Sequence, residues 1–118
     1  PETASMDDLV ETVGNAATLA VGMCRSDPGL VGAGMSDPVV TPERARLITG
    51  YDDVRAAAFD AGAAGVTVSG AGPAILAVCR DERRRGVAAA MLDAFSEAGI
   101  DARAYQTRIG QGSTVLEE

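Results

Sequence analysis

The sequence predicts an α+β fold, a two-layer sandwich with helices on one face of a mainly antiparallel, four-stranded sheet. Three observations lead there. After a leading helical section, the elements run helix, strand, strand, helix, strand, strand. Glycine-bearing turns separate the members of each strand pair, at "SGAGP" and at "GQG". The chain is 47% apolar, yet its only aromatics are Tyr51, Phe59, Phe95 and Tyr105, so Ala, Val, Leu, Ile and Met must pack the layers closely. At 118 residues, with no linker or low-complexity segment, residues 1–118 read as a single domain.

The elements follow in order. Ser5, with Asp8 three residues on, has the form of an N-cap with an acidic partner. Behind it Val10, Val13, Ala17, Ala20, Val21 and Cys24 share one helical face, predicting a helix over 6–24 with that face inward. "SDPG" at 26–29 ends it, and a short helix is expected over 29–35. Residues 36–50 are the least regular; Thr41-Pro42 looks like an N-cap followed by proline at the first helical position, giving one turn through Arg46. Asp52 and Asp53 suit the start of a helix over 51–61, which Gly62 ends. Strands are predicted at 65–69 and 74–80. Asp81 then caps a helix whose core face is Val87, Met91, Phe95 and Ala98, with Gly99 as its stop. The last two strands are placed at 101–109 and 113–117.

Net charge is −7, from 17 acidic residues against ten basic ones, every one of them arginine. An acidic surface repels nucleic acid and anionic lipid, so neither is an expected partner. GC-rich coding and adaptation to high salt both account for this balance. No apolar run reaches the ~20 residues of a membrane span. The start, "PETASMDDL", is not a signal peptide and has no initiator Met, as expected of a chain cut from something longer. Cys24 and Cys79 read as buried free thiols of a cytoplasmic protein, and without histidine a zinc site is not expected.

The chemistry concentrates in "GVTVSGAGPAILAVC", residues 65–79. Gly70 and Gly72 tolerate φ > 0 and close backbone approach, and Pro73 fixes the exit. Such a loop can offer backbone N–H groups to an anion, or simply turn a hairpin. There is no Gly-Lys-Ser/Thr signature of a P-loop.

"VTVSGAGPAILAV" resembles the third sequence motif of the GHMP small-molecule kinases. "DPVVTPERARLITGYDDV" is similar to the segment before that motif in the homoserine kinases of this family, with Thr49 where proline usually stands. "RIGQGSTVLE" resembles their closing glycine-containing hairpin. The likeness covers most of residues 36–117 in order and spacing.

The resemblance implies a C-terminal lobe with the ferredoxin-like fold of that family, whose N-terminal, ATP-binding lobe is absent from this chain. It implies a parent enzyme that phosphorylates L-homoserine at its side-chain hydroxyl. ATP and Mg²⁺ would be held mainly by the N-terminal lobe, and no catalytic or metal-binding residue is expected here. Arg44 matches the arginine that grips the homoserine carboxylate, a task suited to a guanidinium fork. Ser69, Gly70, Ala71, Gly72 and Pro73 would support the phosphate loop of the other lobe.

Arg46, the cluster Arg83-Arg84-Arg85, and Asp37, Asp52 and Asp53 are explained by solvated faces, caps and turns. Phe59, Met91 and Phe95 read as core. Expected partners are the N-terminal lobe and L-homoserine, with a homodimer possible. Two alternatives stay open: a kinase of the same family acting on shikimate or an isoprenoid precursor, and a stand-alone α+β module that binds a ligand or dimerises.

Overall fold

The computed structural model of the protein describes residues 3–116. Its elements are α1 (Met6–Arg25), α2 (Pro28–Gly34), α3 (Thr41–Ala45), α4 (Tyr51–Asp60), β1 (Ala63–Val68), β2 (Ile75–Cys79), a 3-10 turn (Asp81–Arg83) and α5 (Arg84–Glu97). The capping box opens α1 as the sequence suggests. The Asp8 amide donates to the Ser5 hydroxyl at 3.0 Å, and the Ser5 amide donates to the Asp8 carboxylate at 3.2 Å.

β1 and β2 form an antiparallel hairpin pairing Val68 with Ile75, Val66 with Ala77 and Gly65 with Val78. One face of the hairpin carries the core. Ala58 of α4, Val66 and Val87 of α5 form one buried cluster, with Ala77 and Met91 packed against it. Ile48, Tyr51 and Val68 form a second, flanked by Ile75 and Phe95. Small residues let the layers meet closely, and the two-layer α+β packing of α4 and α5 on the sheet is present.

Among the described residues the sheet has two strands, not four. Residues 101–109 and 113–116 are not strands, and residue 117 lies outside the described residues. A strand requires a neighbour to bond its amides and carbonyls. Among the described residues these segments form no backbone–backbone hydrogen bond. Their β-prone side chains stand in solvent; Tyr105 is 86% exposed and Val115 92%. One side-chain contact ties the segment down, from the Arg108 guanidinium to Asp81 at 3.0 Å.

The first helix is turned relative to expectation. Val10, Val13, Val21 and Cys24 are exposed, and Gly22 is the buried position. The side facing α2 is chosen by small residues: Gly34 lies against the Leu19 backbone, where a Cβ would collide, and Asn15 donates to the Ser36 carbonyl at 3.0 Å. Backbone contact outweighs the burial of a valine stripe here.

α2 in turn packs against the face of β1 that Gly65 presents, with Gly32 pressed on the Ala64 carbonyl. Among the described residues no backbone hydrogen bond reaches β2 from the side away from β1. The Ser69 amide bonds to the Ala74 carbonyl at 2.8 Å, so antiparallel alternation turns the backbone groups of Ile75, Ala77 and Cys79 away from β1. They form an open edge.

Two further expectations change. Cys24 and Cys79 are free thiols, but Cys24 is exposed and Cys79 half-buried, where burial raises its pKa. Phe59 sits at the surface under the Arg55 guanidinium, 4.9 Å from its ring centre. Among the described residues no helix is long and apolar enough to cross a membrane.

Candidate functional site

The irregular stretch before α4 is organised by one carboxylate. Asp37 accepts hydrogen bonds from the amides of Val39 (2.9 Å), Val40 (3.0 Å) and Thr41 (3.0 Å), and from the Thr41 hydroxyl at 3.3 Å. Burial works against its ionisation, but the bonds from Val40, Val39 and Thr41 outweigh it and hold its pKa below 3.8. The sequence suggested Thr41 as the cap of the next helix. The structure gives the N-cap position to Val40, which makes no side-chain cap; Asp37 supplies the missing acceptor from upstream. Pro42 then occupies the first turn, where its lack of an N–H costs nothing.

α3 carries Arg44, and the short helix sets its direction. The Arg44 guanidinium donates to the Ala71 carbonyl at 3.2 Å. The arginine and the glycine loop, 27 residues apart in sequence, therefore form one surface. Arg46, two residues on, turns elsewhere and pairs with Glu43 at 3.1 Å.

Within the loop, Gly70 has φ +58° and Gly72 φ +81°, and the Gly72–Pro73 bond is cis. The Gly72 amide donates to the Ser69 carbonyl at 3.0 Å, closing the turn. The amides of Gly70 and Ala71 find no acceptor among the described residues. Ser69, Gly70, Ala71 and Pro73 are exposed, whereas Gly72 is half-buried over Ile48 and Val68. The site thus presents a guanidinium fork with spare donors beside two free backbone amides. That combination attracts anionic groups.

The sequence assigned Ile48 no site role, although it lies in the segment before the third motif; its side chain supports Gly72 from below. The basic cluster stays apart from this surface. Arg84 pairs with Asp81 at 3.3 Å, and Arg83 and Arg85 are exposed. Among the described residues no group of three or more His, Cys, Asp or Glu could hold a metal ion.

The helix-backed hairpin with its glycine turn is the kind of lobe found in one family of kinases. Residues 6–104 match the family described as "GHMP kinases C terminal", and the chain belongs to that family. Its relatives include the homoserine kinase of Halorubrum lacusprofundi, 92% identical over the whole of this chain and 40% of that protein. The homoserine kinase of Haloquadratum walsbyi is 66% identical over 98% of this chain and 40% of its own length. The chain therefore spans about 40% of the length of these curated relatives. A crystal structure of homoserine kinase from Cytophaga hutchinsonii superposes with a TM-score of 0.88 at 36% identity, covering 94% of this chain and 36% of that one.

Proposed function

We propose that this chain is the C-terminal lobe of a homoserine kinase, an enzyme that transfers the γ-phosphoryl group of ATP to the side-chain hydroxyl of L-homoserine. The product is O-phospho-L-homoserine, a step toward threonine. The observation that carries this reading is the bond from Arg44 to the glycine loop, which joins a carboxylate-binding group to a loop suited to the phosphate side. The printed names of the relatives support the choice of substrate.

In this reading Arg44 spends one N–H on Ala71 and keeps the rest of its fork for the substrate carboxylate. Residues 69–73 form a wall beside the phosphate loop of the N-terminal lobe. ATP brings the transferable group and Mg²⁺ neutralises its charge, both held mainly by that other lobe. The residues of this chain orient the acceptor; they hold or move no proton.

The N-terminal lobe is also the physical partner. Met6, Leu9, Val10 and Val13 on α1, the open edge of β2 and the extended segment 101–116 are apolar or unpaired surfaces, suited to cover by further chain. Its locale is the cytoplasm, where homoserine and ATP meet.

Coupled ADP-release assays on the longer protein, with homoserine, shikimate and mevalonate side by side, test the reaction. Homoserine alone should support turnover, and residues 1–118 by themselves should support none. Arg44→Ala should lower kcat/KM for homoserine about 10- to 150-fold, the equivalent of about 1.5–3 kcal/mol for a charge-assisted bond. KM for ATP should barely move, and Arg46→Ala should do far less. Equal losses from both variants would remove Arg44 from the substrate site.

A further inference from the structure

Arg44 is exposed, and its guanidinium rests on the glycine loop through one bond, to the Ala71 carbonyl at 3.2 Å. A long surface arginine has many rotamers, so its head is only as well placed as the backbone that carries it. That backbone is α3, a helix of five residues with no buried residue and no side-chain cap at Val40. A helix this short is not stable by itself. Its seat on the sheet must come from contacts outside it.

One face of α3 makes two such contacts. Near its C-terminal end, Ala45 packs against the cluster of Ile48, Tyr51 and Val68. At its N-terminal end, Thr41 Oγ1 lies 3.2 Å from Thr67 Oγ1 in β1. Among the described residues no other hydrogen bond joins α3 to β1. Thr41 and Ala45, four residues apart, share this face, and Arg44 is the neighbour of Thr41 one turn along.

The direction of the threonine bond is set from outside the pair. The Asp37 carboxylate, ionised at neutral pH, can only accept, and the Thr41 hydroxyl donates to it at 3.3 Å. Thr41 has a single proton, so the Thr67 hydroxyl donates to Thr41. The row Thr67, Thr41, Asp37 therefore ends on a charge, which strengthens it. Thr67 belongs to the strand that feeds the loop: it pairs with Leu76 across the hairpin, and Ser69 opens the glycine turn. The bond thus ties the helix that bears the arginine to the strand leading into the loop that the arginine touches.

We infer that Thr67, acting through Thr41, is a positioning residue for Arg44: the bond holds α3 against β1 and so keeps the guanidinium on the glycine loop. Its effect on rate rests on the reading of Arg44 as the grip on the homoserine carboxylate. Its effect on Arg44 itself is measurable without turnover.

Thr67→Val removes the hydroxyl and keeps a β-branched side chain of the same shape in the strand. In the longer enzyme it should lower kcat/KM for homoserine about three- to tenfold, as the loss of one hydrogen bond implies, and leave KM for ATP unchanged. Thr67→Ser keeps the hydroxyl and should retain nearly the parent kcat/KM. In an Arg44→Ala background Thr67→Val should cost nothing further, because residues acting through one another are not additive. Nitrogen relaxation of the Arg44 Nε–H group in the longer protein is the second readout. The group should become more mobile in Thr67→Val and stay ordered in Thr67→Ser. A threonine that served stability alone would lower Tm and move neither readout. An Arg44 group as ordered in Thr67→Val as in the parent would overturn the inference. So would equal behaviour of the valine and serine variants, or a loss that persists in full in the Arg44→Ala background. If Arg44→Ala leaves homoserine turnover intact, the substrate reading fails, and the relaxation measurement alone decides whether Thr67 positions Arg44.

Discussion

Gly70 and Gly72 sit two residues apart in one turn, yet alanine would meet different obstacles at each. At Gly70, φ is +58° and a new methyl would find open space, leaving only the left-handed backbone penalty. At Gly72, φ is +81° and the methyl would stand 3.3 Å from Val68 Cγ1 and 3.5 Å from Ile48 Cδ1. Both variants should lose about 1–2 kcal/mol for the backbone. Gly72→Ala should lose more, because the Val68 side chain must give by a few tenths of an ångström. Chemical denaturation of the two variants checks the order. In the longer enzyme, Gly72→Ala should remain folded at assay temperature and lose most of its kcat, since misplacement by about 1 Å can cost near 100-fold. Ala71→Ser, whose side chain points to solvent on an exposed residue, should be mild.

At the scale of elements, α3 depends on Asp37 for its first turn. The folded pKa of Asp37 lies below 3.8, so the stability it contributes is fully present above the unfolded value and is lost as pH falls through the lowered folded value. Amide shifts of Val39, Val40 and Thr41 should therefore titrate together below that pH. Asp37→Ala should remove this titration and cost about 1 kcal/mol, as losing a helix cap does. Elements whose bonds close locally were legible in the sequence. The Ser5–Asp8 box, the dipole-favoured start of α4 and the glycine turn between β1 and β2 each appear where local chemistry puts them. The segment 101–116 was not legible, because a strand is a property of two segments and the pattern of one cannot supply the other. The rotation of α1 was hidden for a related reason: the close approach of Gly34 to Leu19 is visible only once both helices are placed. Of the site, the residue types at Arg44 and 69–73 could be read directly. Their contact through Ala71 depends on how Asp37 and Ile48 seat α3, which periodicity does not encode.

Over the whole molecule, like charge is the dominant long-range term, with a net of −7 on a chain of 118 residues. Self-repulsion should destabilise the fold at low ionic strength and be screened by salt. Tm measured from about 0.05 M to about 2 M KCl should rise; a flat or falling curve would favour GC-rich coding as the origin of the composition. The two sides of the hairpin set a second whole-molecule property. Where both outer strands of a sheet are bare, copies can add end on end without limit and build a fibre. Here Gly32 lies against β1 at Ala64, while among the described residues no backbone hydrogen bond reaches β2 from the side away from β1. Two copies meeting through β2 would each cover the other's edge in an isologous pairing, and α2 crowding β1 at Ala64 hinders further addition on the other side. Size-exclusion chromatography of the 118-residue chain, run across a concentration series, should resolve monomer and dimer with no ladder above them.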